Sequence, residues 1–205
     1  MKVKICGITE VADALGAVKS GVDALGFIFA PSPRQISMKK ARRIINAIPP
    51  FVKTVGVFVN EAMDSLREHI NYCGLDLVQL HGDEPPEFCR ELMPRAIKAV
   101  RIKDDSSLPD CNDYQANVRA LLLDTYARGK AGGTGQTFDW RLAVQIKETG
   151  IPVILSGGLG LSNIEEAVRV VKPYAVDVNS GVEERPGKKR YDLMRQLMDK
   201  IRGVV

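Results

Sequence analysis

The chain has 205 residues, of which 45% are hydrophobic and 26% are charged, and its net charge is +4. This balance is typical of an ordinary soluble globular protein with a sizeable core. Because no basic run is interleaved with aromatic residues, we expect no nucleic-acid partner. No apolar stretch approaches the roughly 18 residues that a membrane helix needs.

The four cysteines are scattered and form no CxxC pair. The apolar residues before "GITE" are too few for a signal peptide. We therefore predict a cytoplasmic protein with reduced thiols.

Short β-branched runs alternate with longer amphipathic segments from end to end, which predicts alternating strands and helices. The predicted strands cover residues 3–6, 24–30, 52–60, 75–82, 96–102, 118–124, 151–158 and 174–181. The predicted helices lie near residues 10–20, 37–47, 62–72, 138–148, 162–171 and 189–202, with a short one starting at Pro85 or Pro86. Only a weak, polar connection follows the fifth strand.

Eight strand-then-helix units in about 200 residues predict a (β/α)8 barrel, the TIM barrel, in which helices cover a closed parallel sheet. We expect residues 1–205 to form this barrel as a single domain. The alternative is a doubly wound open sheet, which usually needs only five or six strands.

Alternation along the strands decides which side chains face the barrel interior. In the first strand we expect the apolar Val3 and Ile5 to pack under the helices, which leaves Lys4 and Cys6 facing inward. The same alternation selects a polar set on the fourth, sixth and eighth strands, namely Gln79, His81, Asp124, Asp177 and Asn179. Function lies at the C-terminal ends of the strands in this fold.

Structural roles are open for several of these residues. Lys4 and Asp177 lie on strands that become neighbours when the barrel closes, so they can form a buried ion pair. His81 and Gln79 can simply satisfy neighbouring polar groups. Their alternative role is in a binding site.

Cys6 and Asp124 are the two candidates for chemistry. Free cysteine is usually buried and inert, so Cys6 is either a packing residue or a reactive group at the barrel rim. Asp124 follows three leucines. We expect a carboxylate in that setting to be neutralised, paired or functional. No HxxxH or clustered Cys/His pattern indicates a metal, and we expect none.

Two glycine-rich loops indicate a phosphate site. "LSGGLG" follows the seventh predicted strand and "NSGVEERPGKK" the eighth. In such barrels these two loops and a short extra helix commonly hold phosphate, because glycine backbone N–H groups can converge on an anion. The alternative is that each glycine pair only makes a tight turn. The predicted walls of the site are Ser156, Gly157, Gly158, Ser180 and Gly181.

With these residues assembled, the chain resembles the phosphoribosylanthranilate isomerase family of tryptophan biosynthesis. The matching motifs, in family order, are "KICGIT", "GFIFAPSPRQIS", "VGVFVN", "VQLHGDE", "LLLDT", "GGTGQTFDW", "LSGGL" and "AVDVNSGVE" with "PGKK". They cover nearly the whole chain. The resemblance implies an Amadori rearrangement of N-(5-phosphoribosyl)anthranilate to the 1-deoxyribulose 5-phosphate form, with no metal or organic cofactor.

The resemblance also implies residue roles. Cys6 is the general base and Asp124 the general acid. A thiol serves as a base near neutrality only if its pKa is lowered, for which a nearby cation or the iminium of the substrate is suitable. Arg34 meets the anthranilate carboxylate, unless it is only a solvated loop charge. The substrate-binding candidates are Arg34, Gln79, His81 and Asp177, and the phosphate-binding candidates are Gly157, Gly158, Ser180 and Gly181.

Two positions depart from the family pattern. Asn179 stands where serine is common, and Gln136 where lysine is frequent. The rival functions are another phosphosugar isomerase with this fold and a non-catalytic phosphate-binding barrel, which would need no acid–base pair. The expected partner is a small phosphosugar, and the protein is expected to be a monomer or a homodimer.

Overall fold

The computed structural model describes residues 1–103, 111–125 and 138–204. Within these ranges eight parallel strands close into a barrel in which each strand pairs with the next and the last pairs with the first. The barrel strands are β1 (Lys2–Ile5), β2 (Ala24–Ile28), β3 (Lys53–Phe58), β4 (Leu77–Leu80), β5 (Ala96–Ile102), β6 (Ala120–Thr125), β7 (Val153–Leu155) and β8 (Ala175–Val178). The closed barrel confirms the predicted fold and excludes the open sheet.

Helices connect the strands around the outside of the barrel. They are α1 (Val11–Ser20), α2 (Met38–Ile45), α3 (Met63–Cys73), α4 (Pro86–Glu91), α5 (Cys111–Tyr114), α6 (Trp140–Glu148), α7 (Ile164–Val171) and α8 (Tyr191–Arg202). Helix α5 lies where the sequence predicts only a weak connection. None of the helices within the described ranges is long and apolar enough to cross a membrane.

Local sequence fixes several helix ends. The Ser37 side chain accepts a hydrogen bond from the backbone N–H of Lys40 and so caps α2. Gly21 ends α1 with φ 93° and Gly74 ends α3 with φ 75°, a left-handed conformation that glycine adopts without a steric penalty.

The apolar side chains form two layers, one on each side of the barrel wall. Val3 and Ile5 belong to the larger layer between sheet and helices, as the alternation predicts. The smaller layer fills the barrel interior and consists of Val55, Ile97, Ala99, Ala120, Leu122, Ile154 and Ala175. This inner layer closes the barrel from below, so polar residues at the strand ends surround a cavity above it.

Six strands end earlier than the sequence predicts: β2 stops before residues 29–30 and β3 before residues 59–60, and four others stop before candidate site residues, which belong to loops. Strand β1 stops before Cys6, β4 before residues 81–82, β7 before residues 156–158 and β8 before residues 179–181. At the rim the chain leaves its neighbours and turns away, as at Gly7, where φ is 71°. The candidate site residues therefore lie at or just beyond the strand ends.

The segment after β8 corrects the sequence analysis. Residues predicted as a glycine-rich loop form an antiparallel hairpin of β9 (Glu183–Arg185) and β10 (Lys188–Lys189), which turns at Gly187 with φ 80°. The closing helix begins at Tyr191, not at Lys189. In residues 179–190 there is no extra helix, and the hairpin occupies that place.

Candidate active site

A cavity opens at the C-terminal end of the barrel, where function is expected in this fold. Its volume is about 770 Å³ when the space open to solvent is included. All eight barrel strands or the loops after them contribute to its lining. The sequence-predicted residues that line it are Cys6, Gln79, His81, Asp124, Ser156, Gly157, Gly158, Asp177, Asn179 and Ser180. Among the described residues, Arg34 and Gly181 are candidates outside this lining.

Lys4 and Asp177 form the buried ion pair that strand adjacency predicts. The two are register partners across β1 and β8, and Nζ of Lys4 lies 3.0 Å from Oδ2 of Asp177. Although burial alone would lower it, the charge of Asp177 holds the pKa of Lys4 above its ordinary value. Oδ1 of Asp177 is buried with no hydrogen-bond partner in the described part of the chain.

Cys6 lies directly after β1 and is 4% exposed, with its side chain on the cavity. Burial raises the pKa of the Cys6 thiol, while the nearby charges of Lys4 and Lys189 act in the opposite direction. The cations that the sequence analysis calls for are present, but in the unliganded protein burial outweighs them. Burial and the charge of Asp177 together therefore disfavour the thiolate.

Gly26 on β2 provides the space for this thiol. A Cβ at Gly26 would lie 2.6 Å from Sγ of Cys6, closer than real Cβ atoms approach a neighbour, and 3.0 Å from Cε of Lys4, which is tight. For the catalytic role that the family resemblance implies for Cys6, we expect Gly26→Ala to displace the thiol and to lower kcat by about 100-fold, the effect of a 1 Å misplacement of a reacting group. Steady-state kinetics measure this.

The matched control for this substitution is Gly203→Ala. At Gly203 a Cβ would meet only Lys200 and Asp199 carbonyl oxygens at 3.5 and 3.6 Å, which are ordinary contacts. We expect its kcat to match wild type. Wild-type turnover in Gly26→Ala would show that the position of the thiol is unimportant.

Asp124 lies near the end of β6 with both carboxylate oxygens engaged. Oδ1 accepts the backbone N–H of Thr125 at 2.9 Å, and Oδ2 lies 3.2 Å from Nε2 of His81. Of the three states expected for this carboxylate, the structure shows pairing, with His81 at the cavity wall. Nδ1 of His81 in turn lies 2.8 Å from Nε2 of Gln79. His81 and Gln79 thus satisfy neighbouring polar groups and also line the cavity.

Arg34 is not a solvated loop charge, because it is 9% exposed and bound in a fork. Its Nε and Nη2 groups donate to the carboxylate of Glu183 over distances of 2.7 to 3.0 Å. Nζ of Lys189 donates to the same carboxylate at 2.9 Å and to Oδ1 of Asn179, also at 2.9 Å. Nη1 of Arg34 makes no hydrogen bond to the described residues.

Three charged residues of the site were missed by sequence reasoning. Glu183 and Lys189 belong to the β9–β10 hairpin, whose Pro-Gly turn signal could have revealed it. Arg101, on β5, lines the cavity and donates from Nη2 to the carbonyl oxygen of His81 at 2.9 Å. Alternation along β5 would have placed Arg101 on the same face as the interior residues Ile97 and Ala99.

Glu183 yields a pH-dependent prediction. Although burial acts to raise it, the hydrogen bond from Arg34 and the charge of Lys189 hold the pKa of Glu183 below its ordinary value of 4.5. A lowered folded-state pKa stabilises the protein fully above the unfolded-state pKa, and this contribution is lost as pH falls through the folded-state pKa. We expect Glu183→Gln to lower the free energy of unfolding at neutral pH by about 3 kcal/mol, because two buried cations lose their counter-ion.

Urea unfolding at neutral pH and at several values below pH 4.5 measures this effect. We expect the deficit of Glu183→Gln to shrink as pH falls. Glu165→Gln is the control, since its surface pair with Lys200 is more than a third exposed and should contribute about 1 kcal/mol or less. A deficit that stays constant over the whole pH series would contradict the pairing.

The two glycine-rich loops meet at one side of the cavity. Gly157 and Gly158 have φ of 84° and 65°, and a Cβ at Gly157 would lie 2.5 Å from the backbone nitrogen of Thr125. Gly160 forms a bridge with Gly181, which joins the loop after β7 to the loop after β8. Close contacts require glycine at Gly157 and Gly181, and the positive φ favours it at Gly158. The phosphate role assigned to the loops stays a prediction.

The expectations for Gln136 and for a metal site can be compared with the described residues only in part. Gln136 lies outside the described residues, and so does most of "GGTGQTFDW". In the described ranges no group of three or more His, Cys, Asp or Glu residues is arranged to hold a metal ion.

Comparison with known proteins gives one consistent family. The family model of N-(5'-phosphoribosyl)anthranilate (PRA) isomerase matches residues 3–200. The N-(5'-phosphoribosyl)anthranilate isomerase of Geobacter sulfurreducens is 50% identical over 204 residues, which cover 99% of both chains.

Solved structures that resemble this chain belong to the same family. Phosphoribosyl anthranilate isomerase in complex with reduced 1-(o-carboxyphenylamino)-1-deoxyribulose 5-phosphate is 43% identical with a TM-score of 0.88, covering 99% of both chains. Monomers of the dimeric enzyme from Thermotoga maritima are 40% identical with a TM-score of 0.87 and the same coverage.

Proposed function

Because the chain belongs to the N-(5'-phosphoribosyl)anthranilate isomerase family, we propose that it converts N-(5-phosphoribosyl)anthranilate into 1-(2-carboxyphenylamino)-1-deoxyribulose 5-phosphate in tryptophan biosynthesis. The observation that carries the proposal is one cavity lined by a thiol and a carboxyl group, Cys6 and Asp124, beside two glycine-rich loops. An Amadori rearrangement needs one acid and one base. In this proposal Asp124 supplies the acid and Cys6 the base, and the reaction calls for no cofactor.

Asp124 acts first in this scheme, as the general acid. Its proton passes to the ring oxygen of the sugar while the bond between C1′ and that oxygen breaks. The lone pair of the anthranilate nitrogen forms the C1′=N bond, which leaves a protonated Schiff base and the Asp124 carboxylate. General acid–base groups typically accelerate a reaction by about 10²–10⁴-fold.

Cys6 acts second, as the general base. The positive iminium and the charge of Lys4 favour the thiolate, which burial disfavours in the unliganded protein. The thiolate takes the proton from C2′, the C–H electrons form the C1′=C2′ bond, and the C=N electrons return to nitrogen. The enolamine then loses its O2′ proton and gains one at C1′ to give the ketone. The Cys6 thiol gives its proton to solvent when the thiolate forms and regains one from C2′, so uptake of one solvent proton by the Asp124 carboxylate resets the enzyme.

Substrate binding in this proposal uses the cavity and two residues beside its lining, Arg34 and Gly181. The phosphate binds at the two glycine-rich loops, through Gly157, Gly158, Ser180 and Gly181. The Nη1 group of Arg34 receives the anthranilate carboxylate while Glu183 holds the rest of the guanidinium in place. Asp177, which lines the cavity, accepts a sugar hydroxyl. His81, part of whose side chain is exposed at the mouth, reaches the substrate from the loop after β4.

The proposal extends to the compartment, the partner and the oligomeric state. We propose a cytoplasmic enzyme whose partner is this small phosphosugar. It acts as a monomer or a homodimer, and the related enzyme of Thermotoga maritima is dimeric.

The proposal is tested with freshly generated phosphoribosylanthranilate and the purified protein in the presence of a metal chelator. Loss of the substrate's fluorescence reports turnover. We expect rapid decay with wild type and only the spontaneous rate without protein. If a demonstrably folded protein fails to accelerate the decay, the rival phosphosugar substrates and the non-catalytic barrel come into question.

A further inference from the structure

A continuous series of polar contacts crosses the barrel mouth from β8 to β6. It starts at the ion pair of Asp177 with Lys4, whose Nζ also donates to Oε1 of Gln79 at 2.9 Å. Nε2 of Gln79 lies 2.8 Å from Nδ1 of His81, and Nε2 of His81 lies 3.2 Å from Oδ2 of Asp124. Gln79 in the middle is 1% exposed. The series therefore links the surroundings of Cys6 to Asp124.

The chemistry of the groups fixes the direction of every bond. An ammonium group has only donors, so the Gln79 atom that faces Lys4 must be the carbonyl oxygen. The other end of the amide is then an NH2 group, which only donates. Nδ1 of His81 must accept from it and so carries no proton. The proton of a neutral His81 is therefore on Nε2 and is donated to Asp124.

We propose that Gln79 is a positioning residue that fixes His81 as the Nε2–H tautomer, so that His81 donates to the carboxyl group of Asp124 and holds it at the cavity. This proposal rests on the proposed function only in that Asp124 is the general acid. Gln79 has both ends of its amide engaged by protein groups. Its action on the substrate is thus through His81 and Asp124.

The fixed tautomer also prevents transfer of a proton from Asp124 to His81. Nε2 of His81 already carries a proton, so it cannot take the one that Asp124 holds for the sugar ring. A second proton on Nδ1 would face the NH2 group of Gln79, and two donors would then oppose each other. The backbone N–H of Thr125 and Nε2–H of His81 together set the orientation of the Asp124 carboxyl group.

The chain provides an internal reference for this assignment. His69 is the second of its two histidines, and its Nδ1 lies 2.7 Å from the carbonyl oxygen of Ser65. A carbonyl oxygen only accepts, so Nδ1 of His69 must carry a proton. The structure therefore requires a proton on Nδ1 of His69 and no proton on Nδ1 of His81.

The test is nitrogen NMR of the full-length protein labelled with ¹⁵N-histidine, without substrate, at neutral pH. Protonated and bare imidazole nitrogens differ widely in chemical shift, and a His69→Gln variant assigns the two residues. We expect a bare Nδ1 and a protonated Nε2 for His81. A proton on Nδ1 of His81 in the wild type overturns the proposal.

Two substitutions of Gln79 test its role. Gln79→Glu gives a carboxylate that accepts from both Lys4 and His81, so we expect a proton to appear on Nδ1 of His81. Gln79→Leu removes the donor, so we expect the single tautomer to become a mixture. The His69 signals should be unchanged in both variants, which also reports that the fold is intact. An unchanged His81 spectrum in both variants overturns the role of Gln79.

Kinetics separate positioning from direct binding. We expect Gln79→Leu to lower kcat by about tenfold or more, a part of the contribution of a general acid, with KM little changed. A raised KM with kcat unchanged would overturn positioning in favour of substrate contact. Because the tautomers are read without substrate, a wrong tautomer contradicts this inference alone. The expected tautomers in a protein that does not isomerise the substrate would contradict the proposed function instead.

Discussion

Cys6→Ala is expected to lower kcat by about 10²–10⁴-fold and to change KM little. Alanine cannot take the C2′ proton, yet it leaves the phosphate loops and Asp124 in place. The small side chain lost is at the cavity surface, so the barrel should remain folded. The decay of substrate fluorescence at saturating and at low substrate concentrations gives both constants.

Cys73→Ala is the matched control for this substitution. Cys73 is also a buried cysteine, 3% exposed, but it ends α3 in the layer between sheet and helices. We expect its kcat to equal the wild-type value, with a loss of stability only. If Cys6→Ala turned over substrate as fast as Cys73→Ala, Cys6 would be a packing residue and the base would be another group.

Asp124→Asn is expected to reduce kcat by a similar factor, about 10²–10⁴-fold. The amide has nearly the shape of the carboxyl group but has no acidic proton for the ring oxygen. One end of the amide must also face a donor, either the backbone N–H of Thr125 or Nε2–H of His81. Single-turnover decay of the substrate at excess enzyme measures the chemical step directly.

Asp76→Asn controls for the loss of a partly buried carboxylate elsewhere. Asp76 pairs with Lys53 and accepts the backbone N–H of Thr54, at the end of the barrel opposite the cavity. We expect this variant to be less stable and fully active. Near-wild-type turnover by Asp124→Asn would assign the acid to another residue of the cavity.

The fold was predictable because its signals are local. The β-branched runs and amphipathic segments mark the strands and helices in chain order. Alternation is equally local, and it predicts that Val3 and Ile5 face outward while Lys4 faces Asp177 in the interior. The ion pair required one further rule, that the first and last strands of a barrel are neighbours.

The remaining features depend on contacts between distant segments. Arg34 meets Glu183 across 149 positions of sequence, and nothing near either residue indicates the pairing. The strands end early at the rim because their neighbours end there, a fact of the closed barrel rather than of any one strand. The pKa of the Cys6 thiol likewise depends on burial, which raises it, and on the charges of two lysines from β1 and β10, which lower it. Only the assembled barrel brings these influences together.

The central claim is that Cys6 and Asp124 act on one sugar held in this cavity. The most direct measurement is a crystal structure of the protein with the reduced product analogue that a related enzyme binds, reduced 1-(o-carboxyphenylamino)-1-deoxyribulose 5-phosphate. We expect its phosphate at Gly157, Gly158, Ser180 and Gly181, with Sγ of Cys6 facing C2′ and the Asp124 carboxyl group within hydrogen-bond distance of O4′. A sugar chain bound out of reach of either residue would contradict the claim.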